Sequence, residues 1–416
     1  MSQPSFFGRK VVAATFVMAA FGWGIGFYGP PIFLYAVMQR TGWPLAMCSA
    51  AVTVHFLAGT VIVVKLPALY RRVGLPRTTV TGAIVLALGV YGWSIADQPY
   101  QLFVAALLSG FGWVTMGAAA VNAIIAPWFV SKRPAALAMA YNGASIGGVV
   151  FSSAWVWMIN QFGFQRSAIG VGIVSITIIA TLCWKVFSVQ PGQLGQHPDG
   201  ASGALPQTVQ APHGSAIPLR GNRQFLTLSM AMSLGLFAQI GLISQLFVLL
   251  VGHITEAQAG LAIGLATASA IAGRLLSGRL MSPTTDRRTA ACVSYGCQLL
   301  GCLTLMGISL SPVLLWPGMM LFGLGIGNAT SLPPLIAQSE FPRQQVIGVV
   351  TLIVAIAQGC YAFAPAFFGS VETLVEGGHG ELGVLAIAGG LQGMAIVALH
   401  LGRTAPAHAP GMTRRA

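Results

Sequence analysis

An all-α membrane protein of twelve transmembrane helices, set in two six-helix halves with both termini cytoplasmic, is predicted by three observations. The 416-residue chain is 55% hydrophobic and only 7% charged, with a mean hydropathy of +0.78, where a soluble domain carries about 25% charged residues. Twelve apolar runs of about 20 residues can be counted, each long enough to cross a hydrocarbon core. The basic residues also alternate between connections as cytoplasmic loops require.

The first run, 11–38, follows Arg9-Lys10 and far exceeds the roughly 7–15-residue core of a signal peptide, so it is expected to stay as a helix, bent at Pro30-Pro31. The second, 46–66, carries His55 and ends at Lys65; the third, 78–96, lies between Arg77 and Asp97. The fourth, 101–127, contains Asn122. The fifth, 135–159, follows Lys132-Arg133 and contains Tyr141-Asn142 and the small-residue spacing Gly143/Gly147; the sixth is 167–187. Residues 189–222 are rich in Pro, Gly, Gln, His and Ala and lack apolar periodicity, which predicts a cytoplasmic linker. It divides the chain into an N-terminal half, 1–188, and a C-terminal half, 223–402, with a tail at 403–416, as in transporters built from parallel repeats.

The seventh run, 225–251, holds Gln239 and Gln245, and the eighth, 258–278, holds Gly260/Gly264 and Arg274. The ninth, 289–310, follows Arg287-Arg288. The tenth, 313–338, contains three alternating glycines at 323–327, then Asn328 and Pro333-Pro334; the eleventh, 345–371, contains Gln358, Tyr361 and Pro365, and the twelfth is 382–401. Glycines at these spacings predict close helix crossings.

A net charge of +13 and a pI near 10 would suit nucleic acid only if the cations formed one exposed patch. They fall in short loops: Arg40 and Arg166 in outer connections, Arg274 in a span, and the rest in inner connections or termini, while Asp97, Glu256, Glu372, Glu376 and Glu381 lie outside. No nucleic-acid partner is therefore expected. The six cysteines all fall in apolar runs without metal-ligand spacing, which predicts buried thiols and no metal, cofactor or catalytic group. Gly24-Ile-Gly-Phe-Tyr-Gly29 matches a dinucleotide fingerprint in letters only, since no strand precedes it. Asn328-Ala329-Thr330 matches a glycosylation acceptor but lies at membrane depth, and no phosphate-binding loop pattern occurs.

Arg274 is the organising feature, because every other cation has an aqueous loop or terminus to occupy. An arginine at mid-membrane costs roughly 2.5–3.5 kcal/mol on insertion scales, which marks a functional residue. Its planar fork matches a carboxylate, and a single cation suits a monoanion. The alternative is that it snorkels toward Arg279. The other substrate-binding candidates are Tyr28, Asn142, Tyr361, Asn122, Gln239, Asn328 and Gln358, the polar groups at depth. His55 is the proton-coupling candidate, the spans offering no Asp or Glu.

Four blocks resemble the monocarboxylate-porter and oxalate/formate-antiporter-like branch of the major facilitator superfamily. They are Gly26 to Leu34 with Gly42-Trp43; Trp128 through Arg133-Pro134 to Gly148; Arg274-Leu-Leu-Ser-Gly278; and Phe322 through Pro333 and Phe341-Pro342 to Gly359 and Pro365. The resemblance implies an alternating-access secondary transporter, not an enzyme, working as a monomer in a cell membrane, bacterial inner membrane by its compact loops. It also implies that Arg274 binds the carboxylate of a small organic anion. The chain departs from the branch at Ile32, where animal monocarboxylate porters have lysine, and at Ala270, where they have aspartate. It also lacks any lysine after Lys185. Export of amphipathic compounds and a non-transporting receptor are the alternative functions.

Overall fold

The computed structural model describes residues 6–200, 219, 221–280, 286–329, 331–342, 345–374 and 380–403. Most of the 189–222 linker, the tail beyond 403, and Arg220, Arg343, Glu376, Arg414 and Arg415 lie outside them.

The N-terminal half comprises α1 (Gly8–Gly26), α2 (Gly29–Thr41), α3 (Leu45–Val73), α4 (Leu75–Ile95), α5 (Pro99–Trp113), α6 (Ala118–Ile125), α7 (Arg133–Phe162) and α8 (Phe164–Leu182). The C-terminal half comprises α9 (Arg223–Val251), α10 (Glu256–Leu280), α11 (Arg287–Met306), α12 (Leu315–Ile326), α13 (Leu332–Glu340), α14 (Val346–Tyr361), α15 (Ala364–Leu374) and α16 (Gly380–Leu401). Among the described residues, eleven helical stretches are long and apolar enough to cross a membrane, and Pro312–Ile326 is a shorter apolar helix.

Local chemistry sets the ends. Proline occupies the first turn of α2, α4, α5, α7 and α13, where a missing N–H costs nothing. Gly42, with φ +70°, closes α2 in the left-handed conformation that side chains disfavour. Asn222 caps α9 by accepting from the Phe225 N–H at 3.0 Å, and Asp286 caps α11 by accepting from the Arg288 N–H at 3.0 Å.

Four spans are interrupted rather than continuous. The breaks fall at Phe27-Tyr28 between α1 and α2, at the 3₁₀ turn Val114–Met116 and Gly117 between α5 and α6, at Gly327 to Ser331 between α12 and α13, and at Ala362-Phe363 between α14 and α15.

Glycine governs how closely helices cross. A Cβ at Gly143 or Gly147 would collide with the carbonyls of Phe16 and Ala20, so α7 lies backbone-to-backbone on α1. On its other side α7 meets α10 across the two halves: a Cβ at Gly260 would come within 2.9 Å of the Ser152 carbonyl, and one at Gly264 within 3.2 Å of that of Val149. The expectation of close crossings at both glycine pairs is met.

The apolar core is asymmetric along the bundle. Toward the end carrying His253 and Glu381, buried residues of both halves, such as Phe33, Val52, Phe247 and Phe368, form one continuous core. Toward the basic end the C-terminal half has a separate core, including Phe225, Leu228, Tyr295, Ile336 and Ile353. Polar groups also cross the shared end. Gln245 Nε2 donates to Ser49 Oγ at 3.0 Å, and the Ala366 N–H, orphaned in the first turn of α15, donates to Thr53 Oγ1 at 2.9 Å.

The expectation that all cations but Arg274 are solvated does not hold at Arg288. It is 1% exposed at the start of α11, where Nε and Nη2 donate to the two Glu340 oxygens at 2.5 and 2.8 Å. Its remaining donors reach Thr227 Oγ1 and the carbonyls of Gln224 and Leu399. The reason is tertiary: the carboxylate comes from α13, 52 residues away. Likewise Glu372, read as an outer-loop acid, lies in the last turns of α15 and is half-buried.

Candidate functional site

Arg274 sits on α10 where that helix crosses α12. A Cβ at Gly273 would strike the Leu324 carbonyl and one at Gly327 the Ala270 carbonyl, so only glycine permits this approach. The α12 helix ends there, freeing the carbonyl of Gly327, and Arg274 Nε donates to it at 3.0 Å. That bond orients the guanidinium without neutralising it. Among the described residues no carboxylate pairs with Arg274 and its terminal nitrogens have no partner; the titratable side chain near it is Tyr28.

Tyr28 belongs to the other half, at the break between α1 and α2, beside Thr267 on α10. Gly148 on α7 completes this junction, since a Cβ there would come within 2.6 Å of both the Tyr28 ring and the Thr267 methyl. Here the two halves touch beside the guanidinium.

From Tyr28 the rings continue outward. Phe27 stands edge-on to Tyr28, centroids 5.0 Å apart, and packs on Trp113 and Phe56 at 6.4 and 6.0 Å. Phe56 meets Tyr361 at 6.4 Å, so the break between α14 and α15 joins the same surface. Trp113 meets Trp23 at 5.9 Å, and Trp23 meets Tyr141 at 6.1 Å. Each of the four helix breaks thus places at least one side chain or carbonyl in a connected series that reaches Arg274 through Tyr28 and Gly327.

The sequence candidates distribute unevenly over this geometry. Arg274 and Tyr28 come together, and Tyr361 is joined to Tyr28 through Phe56 and Phe27. Asn122 donates through Nδ2 to the Tyr141 hydroxyl at 2.8 Å and to the Ala118 carbonyl at 2.9 Å, at the far end of the ring series. Gln358 donates to Thr60 Oγ1 at 3.4 Å, bridging α14 and α3 across the halves. Asn328 is 3% exposed behind Arg274, donating to Ser277 Oγ at 2.8 Å, and so braces the α10 and α12 crossing. Gln239 is 5% exposed with its Oε1 unpartnered. Asn142 is half-buried on α7.

His55 is 1% exposed and stacks on Trp113, centroids 6.1 Å apart. Its Nε2 lies 2.9 Å from the Gly26 carbonyl, which only accepts, so this nitrogen carries a hydrogen. Nδ1 lies 2.8 Å from Ser109 Oγ, which also receives the Trp93 indole N–H and can donate to the Ala106 carbonyl. The serine can serve either a neutral or a protonated ring.

The residues that sequence reasoning did not single out are Trp23, Phe27, Phe56 and Trp113. Their signal was aromaticity, which apolar spans carry everywhere, so only the tertiary arrangement distinguishes them.

Comparison with known proteins adds family and fold. The Major Facilitator Superfamily model matches residues 11–368. The MFS-type transporter pynF of Aspergillus niger is 25% identical over 194 residues, 46% of this chain, and the match spans only 43% of that relative's length. Solved structures with the same fold include the nucleoside transporter NupG, with a TM-score of 0.72 at 13% identity over 96% of this chain and all of that one. A D-xylose-proton symporter reaches 0.74 at 12% identity over 95% and 97% of the two chains. A bacterial homologue of the human lysosomal transporter Spinster, inward-facing and unoccupied, reaches 0.70 at 13% identity over 97% and 100%.

Proposed function

Because the chain belongs to the Major Facilitator Superfamily and is therefore a multi-pass membrane transporter, we propose that it moves a small organic monoanion, a monocarboxylate, by alternating access between its two halves. The observation that carries this is Arg274: a guanidinium enclosed among spans, held by one carbonyl and lacking any described carboxylate partner. Enclosing an unpaired charge is costly unless a counter-ion arrives, and a carboxylate offers the two acceptors that a fork of N–H donors fits. The site needs no metal or cofactor for this task.

Residues 1–188 and 223–402 act as the moving halves, joined by the 189–222 linker, with the basic ends cytoplasmic. Tyr28 lies beside the anion and Tyr361 farther along the rings, with Asn122, Asn142 and Gln358 lining the path. Asn328 and Gln239 support it from behind. His55, stacked on Trp113, is the group through which a proton would be coupled.

The test is counterflow in proteoliposomes loaded with monocarboxylates. Arg274→Ala is expected to abolish it, and Arg274→Lys to reduce it at least tenfold, with the protein still monodisperse; undiminished counterflow in Arg274→Ala would sink the carboxylate site. An imposed pH gradient at clamped potential then separates the modes. Stimulation that disappears in His55→Asn supports proton symport through His55, and no stimulation in the parent protein leaves anion exchange. A second reading, export of amphipathic compounds, draws on the aromatic rings at the site. Counterflow driven by cationic amphiphiles and not by carboxylates would select it.

A further inference from the structure

A series of aromatic rings leads away from Tyr28, which lies beside Arg274. Phe27 and Tyr28 present one ring each from the break between α1 and α2, Trp113 comes from the end of α5, and Tyr361 from the end of α14. All four keep part of their surface free and touch one another directly or through Phe56. No described carboxylate or lysine interrupts this series. Aromatic faces alone would attract a cation, but a guanidinium at the edge of the cluster repels one. A carboxylate of two or three carbons would satisfy Arg274 and leave the rings facing water. An anion with its own apolar body satisfies both, because burying its apolar surface against the rings adds a gain that a short acid lacks.

We propose that the transported monoanion is amphipathic, a carboxylate borne on an aromatic ring system of the benzoate, phenylacetate or indole-acetate kind, with the carboxylate on Arg274 and the ring among Phe27, Trp113 and Tyr361. This rests on the reading of Arg274 as the carboxylate site. Tyr28, between the guanidinium and Phe27, is then the position where the two parts of the substrate meet. The polar groups of this series are the Tyr28 and Tyr361 hydroxyls and the Trp113 indole N–H, fewer than the several hydroxyls of a sugar would need, and Asn122 and Tyr141 already bond each other.

The test is direct binding of radiolabelled benzoate, phenylacetate, indole-3-acetate, acetate and lactate to the purified full chain in nanodiscs, with labelled phenylethanol and protein-free discs controlling for partition into lipid. Aromatic acids are expected to bind at least about tenfold more tightly than acetate or lactate. In Phe27→Leu and in Tyr361→Leu, each checked for a monodisperse elution profile, the ratio of aromatic-acid to acetate affinity should fall toward one. Equal or tighter binding of acetate and lactate, lost in Arg274→Ala, overturns the aromatic inference alone. Aromatic acids that bind no better than phenylethanol, or as well to Arg274→Ala as to the parent, overturn the carboxylate reading and the inference with it. Failure of every aromatic acid to bind overturns the inference too.

Discussion

Two arginines show how differently a charge can be enclosed. Arg288 has all its donors committed, two of them to Glu340, so it is a structural staple tying α11 to α9, α13 and α16. Removing one partner of such a pair strands the other, at about 3–5 kcal/mol. Glu340→Ala should therefore lower the melting temperature in detergent sharply, while the double change Arg288→Met with Glu340→Leu should recover much of it. An unmoved melting curve in Glu340→Ala would refute the staple. Arg274, by contrast, was legible in the sequence because a lone charge stands out in an apolar run. Arg288 was not, because its position looked like a loop until a carboxylate 52 residues away closed over it. The ring cluster was equally invisible, since its members come from separate helices and no local spacing links them.

Among the elements, α7 carries the most consequence, gripping α1 through Gly143 and Gly147 and meeting α10 through Gly260 and Gly264. Gly147→Ala should force α7 off α1 and cost about 1–3 kcal/mol as overpacking does, measured as a lower melting temperature. Gly264→Ala adds its methyl at the joint between halves, where a Cβ stands 3.2 Å from the Val149 carbonyl; slower transport with a near-normal melting curve is expected. The start of α7 is also strapped. The Asp199 carboxylate accepts from the N–H groups of Val130, Ser131 and Lys132 and from the Ser131 hydroxyl. Slight desolvation raises its pKa, but these four donors outweigh it and hold the carboxyl below its ordinary range. The strap is then complete above the usual carboxylate pKa and is lost as pH falls through the depressed folded value. At neutral pH, Asp199→Asn should speed tryptic cleavage after Lys132; an unchanged rate would count against the strap. Proline announced three of the four helix breaks in the sequence, at Pro30-Pro31, Pro333-Pro334 and Pro365. The fourth, between α5 and α6, has no proline within it and depends on a 3₁₀ turn and Gly117, so sequence pattern passed over it.

At the scale of the whole molecule the halves share a core at one end and part toward the other, where Ala118 and Met139 are exposed. In a cysteine-free background, a cysteine at Ala118 or Met139 should react with a maleimide in the resting protein. One at Ser49 or Thr53, closed under Gln245 and Ala366, should react only during turnover. Equal reactivity at both ends would contradict the asymmetry. The all-helical, many-span character was readable from hydropathy, because the bilayer imposes it on composition. The degree of opening was not, since it depends on which interfaces between the same helices happen to be made. The four breaks have a further consequence. Breaks are where a helix can bend, and here every one contributes an atom to the cluster proposed to hold the cargo. The residues that would feel the cargo are the residues about which the scaffold would flex. Affinity and turnover are therefore coupled at their source: selection for a tighter grip at Tyr28, Tyr361 or Gly327 would alter the speed of the cycle in the same stroke, so variation in cargo is most freely explored at Trp23 and Tyr141, within the neighbouring helices.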